Sequence, residues 1–336
     1  MSPAPIGLNT YSIRAFRWPD LKLIDYAASL KLDGVFLQDS VDLETNEPPH
    51  WPQVKAAAVS AGLHLETGTG GSLPRNPEDF DNSVRLLRAA IRRAAGMGSP
   101  VVRTLVASDR AHLPPGPAAQ HIATMVKLLR TLRSEAMDAG VKFAIENHKD
   151  LLCWQTRQLI DEAGKEFVGS YLDTGNPVFV MEDPMETVET LGPVAVTFHL
   201  RDSVVYESPR GIAVQWVPLG EGVVDFKRIV ARARAIMPPA YIYIKPITGR
   251  PPEILPTFDR AFWKIWGDKR AASFARFLAL AKAGHPYEGE MVMEDLAGRP
   301  AVPEYAAALQ FQQRAHMERS IDYAKKVLDL GVRWRS

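Results

Sequence analysis

Eight short apolar segments alternate along this chain with longer segments whose apolar residues recur at helical spacing. The apolar segments predict strands at 6–12, 32–38, 63–68, 100–107, 141–148, 168–176, 194–202 and 240–245. Such alternation is typical of parallel strands joined by crossover helices. Eight units in 336 residues predict one closed (β/α)₈ barrel domain covering 1–336. A doubly wound open sheet is the alternative, but no strand is followed by a GxGxxG turn that opens a helix.

The part of the chain after the eighth strand is too long for a plain barrel connection. Residues 250–300 are rich in aromatic side chains and predict a lid-like insertion, and 303–331 predict a closing helix. The aromatic residues suit packing or a subunit contact better than direct substrate contact. We therefore expect a homo-oligomer or hetero-oligomer formed through this C-terminal extension.

Charge and cysteine content narrow the functional classes. The net charge is +1 with 24% charged residues, so no strong field favours nucleic acid or an anionic membrane. No apolar stretch approaches the length of a membrane span, and no secretion signal is visible at the N-terminus. The lone cysteine, Cys153, predicts a buried inert thiol and points to no oxidising compartment. We expect a cytoplasmic location.

Polar side chains follow three successive predicted strands. Strand five ends in "AIENH" with Glu146 and His148, strand six in "YLDTGN" with Asp173 and Asn176, and strand seven in "TFHLRD" with His199. In a barrel of this kind, chemistry sits at the carboxyl ends of the strands, so these side chains should converge on one mouth. Two carboxylates and an imidazole, from Glu146, Asp173 and His199, suit Mn²⁺, Mg²⁺, Co²⁺ or Zn²⁺. Each residue alone also fits a structural role as a cap, turn former or hydrogen-bond partner.

The segments "IENH", "LDTGN", "FHLRD" and "VPLGEGVVDF" together resemble the xylose isomerase-like TIM barrels, the sugar phosphate isomerases and epimerases, whose superfamily also contains endonuclease-IV-type proteins. The resemblance covers roughly residues 5–250. It implies a divalent metal held by Glu146, Asp173, His199 and a fourth ligand, a glutamate after strand eight, and a loop at 220–226 that closes over substrate. "PITGRPP" resembles the subgroup that acts on keto-sugars and oxidised glycosides, including C-glycoside deglycosidase subunits and decarboxylases of 3-oxo sugar acids.

Strand eight departs from this pattern, because "AYIYIKP" places Lys245 where the resemblance implies glutamate. An ammonium cannot ligate a metal, and it would repel a divalent ion by about 8 kcal/mol at 4 Å and an effective dielectric near 20. Three outcomes are open: Lys245 replaces the metal as the partner of Glu146 and Asp173, it swings aside from a retained metal, or it acts as a catalytic amine. A purely structural salt bridge is the fourth interpretation.

The leading hypothesis is an isomerase, epimerase or lyase that acts on a keto-sugar or sugar acid through an enediolate-like intermediate. Its candidate catalytic residues are His148 as base or proton shuttle, Lys245 and Glu146. The candidate substrate-binding residues are Arg201, Arg250, Asn176, Glu66, Arg103 and Tyr11. One alternative is a non-catalytic or partner-dependent sugar-binding subunit. Another is an abasic-site endonuclease, which the near-neutral charge disfavours.

Overall fold

A ring of eight parallel strands forms the centre of the computed structural model, which describes residues 4–38, 48–294 and 302–335. The ring strands are β1 (Ile6–Asn9), β2 (Gly34–Leu37), β3 (His64–Gly71), β4 (Val101–Leu105), β5 (Lys142–Glu146), β6 (Val168–Asp173), β7 (Ala195–Leu200) and β10 (Ile242–Ile244). Each strand pairs with its neighbours, and β10 pairs with both β7 and β1, so the sheet closes on itself. The predicted barrel is confirmed, and the open-sheet alternative is wrong.

The helices of the described residues lie outside the ring, and most of them pack against it. They are α1 (Asp20–Ser29), α2 (Trp51–Ser60), α3 (Phe80–Met97), α4 (Ala118–Thr131), α5 (Arg133–Asp138), α6 (Cys153–Ala163), α7 (Pro184–Leu191), α8 (Phe226–Ile236), α9 (Ala271–Ala283) and α10 (Pro303–Lys326). In α3, Val84, Leu87 and Ile91 are buried at helical spacing against the barrel. The helix then ends at Gly98, whose φ of 78° is a conformation that glycine adopts without a steric penalty.

A second small sheet stands beside the barrel mouth, and the sequence analysis missed it. Strands β8 (Asp202–Ser208) and β9 (Gly211–Val217) form an antiparallel hairpin, and β11 (Glu253–Leu255) pairs with β9. A signal was present in the sequence, since two apolar runs flank the turn residues "SPRG" at 208–211. The hairpin fills most of the connection between β7 and α8, to which the sequence analysis assigned no secondary structure.

The described part of the predicted 250–300 insertion packs onto this hairpin. Leu255, Trp266, Phe277 and Ala281 share a buried cluster with side chains of β8 and β9, which places α9 against the small sheet. Residues 295–300 of that prediction lie outside the described residues. Helix α10 ends at Lys326, five residues before the predicted end at 331, and its Met317, Ile321 and Ala324 join the main core.

Within the part of the chain that the structure describes, none of the helices combines the length and the apolar character needed to span a bilayer.

Candidate active site

A cavity of about 720 Å³ lies at the rim where the barrel strands end. Three buried cationic side chains, Arg103 on β4, Arg201 after β7 and Lys245 after β10, line its floor. Its walls include loop residues and the hairpin residue Trp216. Because parallel barrel strands all end at the same rim, residues distant in sequence meet there.

The ammonium group of Lys245 is bound at the centre of this floor. Its Nζ lies 3.0 Å from Glu146 Oε1 and 3.5 Å from Asp173 Oδ2, and it donates a 2.8 Å hydrogen bond to the hydroxyl of Tyr171. Lys245 is 1% exposed. Burial, reinforced by the nearby Arg201, lowers the pKa of Lys245 to about 8 while the two carboxylates oppose that shift.

Two arginines complete the ionic cluster. Arg103 forms an ion pair with Glu146 through Oε2 and donates to the carbonyl of Thr69 at 2.7 Å. Arg201 Nη2 lies 3.0 Å from Asp173 Oδ2 and 3.8 Å from Glu146 Oε1. Although burial opposes it, Arg103 and Lys245 hold the pKa of Glu146 well below its usual range. The cluster therefore holds Glu146 as a carboxylate.

The turn after β6 fixes Asp173 and Arg201. Asp173 Oδ1 accepts backbone N–H bonds from Gly175 at 2.9 Å and Asn176 at 3.1 Å. The Asn176 side chain accepts from Arg201 Nη1 at 2.8 Å and donates to Glu146 Oε1 at 3.1 Å. A Cβ at Gly175 would lie 2.6 Å from Arg201 Cγ, so glycine leaves the space through which that side chain passes. The motif "LDTGN" thus positions two side chains of the cluster.

His199 lies among aromatic rings. Its imidazole stacks on Tyr171 with centroids 3.7 Å apart, Tyr243 lies 5.0 Å away, and Phe36 contacts it edge-on at 4.9 Å. Its Nε2 is 3.1 Å from the hydroxyl of Thr197. Burial, with the charge of Lys245, lowers the pKa of His199 well below its usual value, so the ring is neutral. His199 is near the cluster, but it is not among the residues that line the cavity.

His148 lines the cavity as a neutral imidazole. Burial is the main reason that the pKa of His148 falls to about 3, with Arg103 and Arg201 contributing. Its Nδ1 lies 2.8 Å from the carbonyl oxygen of Ser108. A carbonyl can only accept, so Nδ1 carries the proton and Nε2 presents a lone pair.

The remaining predicted binding residues divide into two groups. Tyr11 and Arg250 line the cavity, and their side chains approach to 3.5 Å. Glu66 does not lie at a strand end, because β3 continues to Gly71 and Glu66 is only its third residue. Its carboxyl is 2% exposed inside the barrel and lies 3.2 Å from His64 Nε2. Desolvation raises the pKa of Glu66.

Several residues at the site were not found from the sequence. The hydroxyl of Tyr171, in the middle of β6, accepts a hydrogen bond from Lys245. In the sequence this tyrosine was not distinguishable from an ordinary strand residue. The ring of Trp216 packs 4.8 Å from the Arg201 guanidinium. This residue was missed because it lies in the hairpin that the sequence analysis did not predict. Asn147 donates to the Asp173 carbonyl at 2.9 Å and accepts from the Asp173 N–H at 2.8 Å. Its position inside "IENH" was the available signal.

The donor set does not fit a divalent metal in this arrangement. The carboxylate oxygens of Glu146 and Asp173 already face Arg103, Arg201, Lys245 or backbone N–H groups, and three cations occupy the surroundings of any ion placed there. No group of three or more His, Cys, Asp or Glu side chains suited to a metal ion occurs in residues 4–38, 48–294 and 302–335. Lys245 occupies the position expected for a metal ligand and pairs with two of the others.

The barrel belongs to a known class of TIM-barrel proteins. Residues 24–244 match the xylose isomerase-like TIM barrel family, and the chain is a member of that family.

Two curated proteins are distant relatives of this chain. The chain is 26% identical over 233 residues to the 3-oxo-isoapionate decarboxylase of Pectobacterium atrosepticum, covering 66% of this chain and 78% of the relative. It is also 26% identical over 99 residues to the uncharacterized protein YihM of Escherichia coli. That second alignment spans only 30% of either chain.

Solved structures of sugar-converting enzymes share the fold. A D-psicose 3-epimerase, solved in the presence of D-fructose, aligns with a TM-score of 0.64 over 96% of this chain and 99% of its own, at 15% identity. The 3-keto-D-glucoside 4-epimerase YcjR from E. coli aligns with a TM-score of 0.57 over 79% of this chain and 98% of its own, at 17% identity. A xylose isomerase-like barrel from Mycobacterium smegmatis, in complex with magnesium, has a TM-score of 0.59 at 17% identity, covering 73% and 91% of the two chains.

Proposed function

We propose that this protein is an enzyme that converts a keto-sugar or sugar acid through an enediolate-like intermediate. The observation that carries the proposal is the position of the Lys245 ammonium, between Glu146 and Asp173 on the floor of the cavity. In this proposal Lys245, with Arg103 and Arg201, supplies the positive charge that the fold family obtains from a divalent metal.

Enolate formation beside a carbonyl develops negative charge on the carbonyl oxygen. Cationic donors that are already oriented in a buried site stabilise that charge with little reorganisation. Arg103, Arg201 and Lys245 are such donors, since hydrogen bonds and ion pairs to Glu146, Asp173 and Asn176 hold them in place. The carboxylates in this proposal orient the cations and limit their charge.

His148 is the proposed group for proton transfer or for accepting a substrate hydroxyl. Among the residues that the structure describes, no side chain or backbone group hydrogen-bonds to its Nε2, while Nδ1 is held by the carbonyl of Ser108. A pKa of about 3 makes the free imidazole a weak base, which suits a hydrogen-bond acceptor better than a strong proton acceptor. Loss of carbon dioxide from a 3-oxo acid also yields an enolate and requires no base on carbon, so a weakly basic His148 is compatible with the lyase reaction.

The relatives support the substrate class. A decarboxylase of a 3-oxo sugar acid and epimerases of keto-sugars and keto-glucosides all act on carbonyl-bearing polyols. Tyr11 and Arg250 at the cavity wall are the proposed contacts for hydroxyl or anionic groups, whereas the buried Asn176, which was also expected to bind substrate, is proposed to position Arg201. Glu66 and His199 are proposed to act through neighbouring groups, because neither lines the cavity.

The test is turnover by the purified full chain on 3-keto-glucosides, ketohexoses and 3-oxo sugar acids, with product detection by NMR in deuterated water. Solvent deuterium should enter the carbon beside the carbonyl in at least one of these classes. Lys245→Met should lower kcat/KM by about 10²–10³ because it removes a preorganised electrophile. Full activity of Lys245→Met, with its fold verified by circular dichroism, would rule out the proposed role of this lysine.

A partner-dependent binding subunit remains the competing proposal. It is favoured if the wild-type chain binds these compounds by calorimetry but neither turns them over nor exchanges a carbon-bound proton for deuterium. The matched surface variant Lys326→Met, which alters an exposed lysine paired with Asp322, controls for general effects of losing a lysine.

A further inference from the structure

The ionic cluster on the cavity floor is unbalanced in charge. It contains three cations, Arg103, Arg201 and Lys245, and only two carboxylates, Glu146 and Asp173. Each of these five residues is at most 6% exposed. Uncompensated buried charge is costly, so a cluster of this kind is stabilised by one further negative charge.

Other charged groups around the cavity do not supply that charge. Three cations and three carboxylates surround the mouth and pair with one another: Arg14, Lys149, Arg250, Asp109, Glu253 and Glu294.

Two further buried carboxyls lie nearby but have other partners. Asp150 accepts the backbone N–H groups of Ala107 and Leu151, and Glu66 faces His64 deeper in the barrel. Within the described residues, neither carboxyl forms an ion pair with a cation of the cluster. The excess positive charge therefore stays on the cavity floor, where it faces the space that a ligand would fill.

One donor of the cluster also lacks a partner. Arg201 uses Nη1 for Asn176 and Nη2 for Asp173, but its Nε–H has no hydrogen-bond partner in the described structure, although the residue is only 2% exposed. Buried donors are nearly always satisfied. The guanidinium packs over the ring of Trp216 at 4.8 Å and Arg201 lines the cavity, so the unsatisfied donor belongs to a side chain beside the space that a ligand would fill.

We infer that the cavity selects a sugar acid, a polyhydroxylated substrate whose single carboxylate balances the floor cluster and binds beside the Arg201 guanidinium. The inference rests on the proposed function only for the sugar part of the ligand. A guanidinium suits a carboxylate, which can accept two parallel N–H bonds. A single negative charge neutralises the cluster, whereas a phosphate dianion would leave it negatively charged.

The substrate's carboxylate is held here, so it is not the group lost in any carbon–carbon cleavage at this site. A carboxylate stabilised by three cations resists conversion to neutral carbon dioxide. A sugar acid with one carboxylate is therefore a substrate for isomerisation or epimerisation at this site, and decarboxylation needs a second carboxylate that lies away from the cluster. In an isomerisation or epimerisation, the bound carboxylate holds the substrate in place and does not react.

The test compares matched ligands of equal chain length by calorimetry on the wild-type chain. The aldonates gluconate, xylonate and threonate are each paired with the alditol that lacks only the carboxylate: glucitol, xylitol and threitol. At least one aldonate should bind about tenfold more tightly than its alditol, equal to about 1.4 kcal/mol. Glucitol 6-phosphate should bind no better than glucitol. Equal affinities within every pair, or no aldonate binding, overturn the inference, and preference for the phosphate does so too.

Variants assign the effect to the cluster. In Arg201→Gln the aldonate preference should fall to about threefold or less. Arg88→Gln, which alters a half-buried arginine paired with Glu135 on the outer helices, should keep it. If Arg201→Gln does not fold, Lys245→Met serves instead, since it removes the charge excess and leaves Arg201 in place. A full preference retained in the folded variants overturns the assignment to this cluster.

The binding result is separate from the proposed activity. Aldonate preference without turnover of any keto-compound would support the carboxylate-binding site and contradict the proposed enzymatic activity. Turnover of a neutral keto-sugar without aldonate preference would support the enzymatic activity and contradict the carboxylate-binding site.

Discussion

The Lys245 ammonium lies 3.0 Å from Glu146 Oε1, at the place where the family resemblance led us to expect a carboxylate and a metal ion. Of the three outcomes that the sequence left open, this geometry agrees with the first, in which a cation of the protein stands in for a metal cation. The same ammonium group reaches Asp173 and Tyr171, so one side chain links β5, β6 and β10.

Restoring glutamate at this position should create a metal site. In Lys245→Glu, a third carboxylate joins Glu146 and Asp173 and the central positive charge is removed, which favours a hard divalent ion. We expect this variant to bind about one Mn²⁺ per chain, measured by calorimetry and elemental analysis. Lys245→Met is the control, because it removes the ammonium without adding a ligand. Equal Mn²⁺ binding by the wild type and both variants would contradict this account of position 245.

Adding a methyl group at Gly175 should disturb the ionic cluster. The new Cβ would lie 2.6–2.8 Å from three carbons of the Arg201 side chain, which must then move. We expect Gly175→Ala to lower the free energy of unfolding by about 1–3 kcal/mol, measured by urea denaturation. Gly267→Ala is the matched control, since a Cβ there meets nothing within 4 Å. A Gly175→Ala protein as stable as the control would mean that Arg201 has space to move.

Arg110 should hold residues 262–268, which lie between β11 and α9, against the barrel. Its guanidinium donates to both oxygens of Asp268, at 2.7 and 3.0 Å, and its Nε donates to the Ile265 carbonyl at 2.7 Å. The side chain is buried and stacks 4.7 Å from the ring centroid of Trp266. In Arg110→Met we expect amide exchange over residues 262–268 to quicken by about tenfold or more.

The control for this prediction is Arg133→Met, which breaks an exposed pair with Glu166. Surface pairs of that kind contribute little, so its exchange pattern should match the wild type over 262–268. Unchanged exchange in Arg110→Met would show that apolar packing on the hairpin is sufficient to hold the segment.

Stability should fall in mild acid, and His316 should contribute to the loss. Burial, and to a smaller extent Arg319, lowers the pKa of His316 to about 4. Between pH 6.5 and 4 the unfolded chain binds a proton at this residue that the native state does not bind. The free energy of unfolding therefore decreases as the pH falls through this window, by at most about 1.4 kcal/mol per pH unit from one group.

Urea denaturation at several pH values tests this contribution. His316→Gln should flatten the dependence between pH 6.5 and 4, whereas the exposed His285, changed to Gln, should not. A slope that is identical in wild type and His316→Gln would disprove the assignment to this histidine.

Local patterns were sufficient for the barrel itself. Strands such as "VKFAIENH" and helices such as 80–97 are set by apolar spacing and terminal glycines, which act over a few residues. The convergence of residues 146, 173 and 245 also followed from the sequence, because every strand of a closed parallel barrel ends at one rim. The hairpin β8–β9 was missed because it interrupts the regular alternation on which the strand assignments relied.

The sequence by itself determined the eight-stranded barrel and the convergence of residues 146, 173 and 245 at its rim, since both follow from short-range periodicity, although it wrongly placed Glu66 among the residues that bind substrate there. Only the tertiary structure decided what those residues do to one another. Whether Lys245 pairs with Glu146, whether His199 faces the cavity or the rings of Tyr171 and Tyr243, and whether Arg201 has a free donor all depend on distances of a few ångströms between separate strands. Electrostatic interactions and pKa values change steeply over such distances, and no local pattern encodes them.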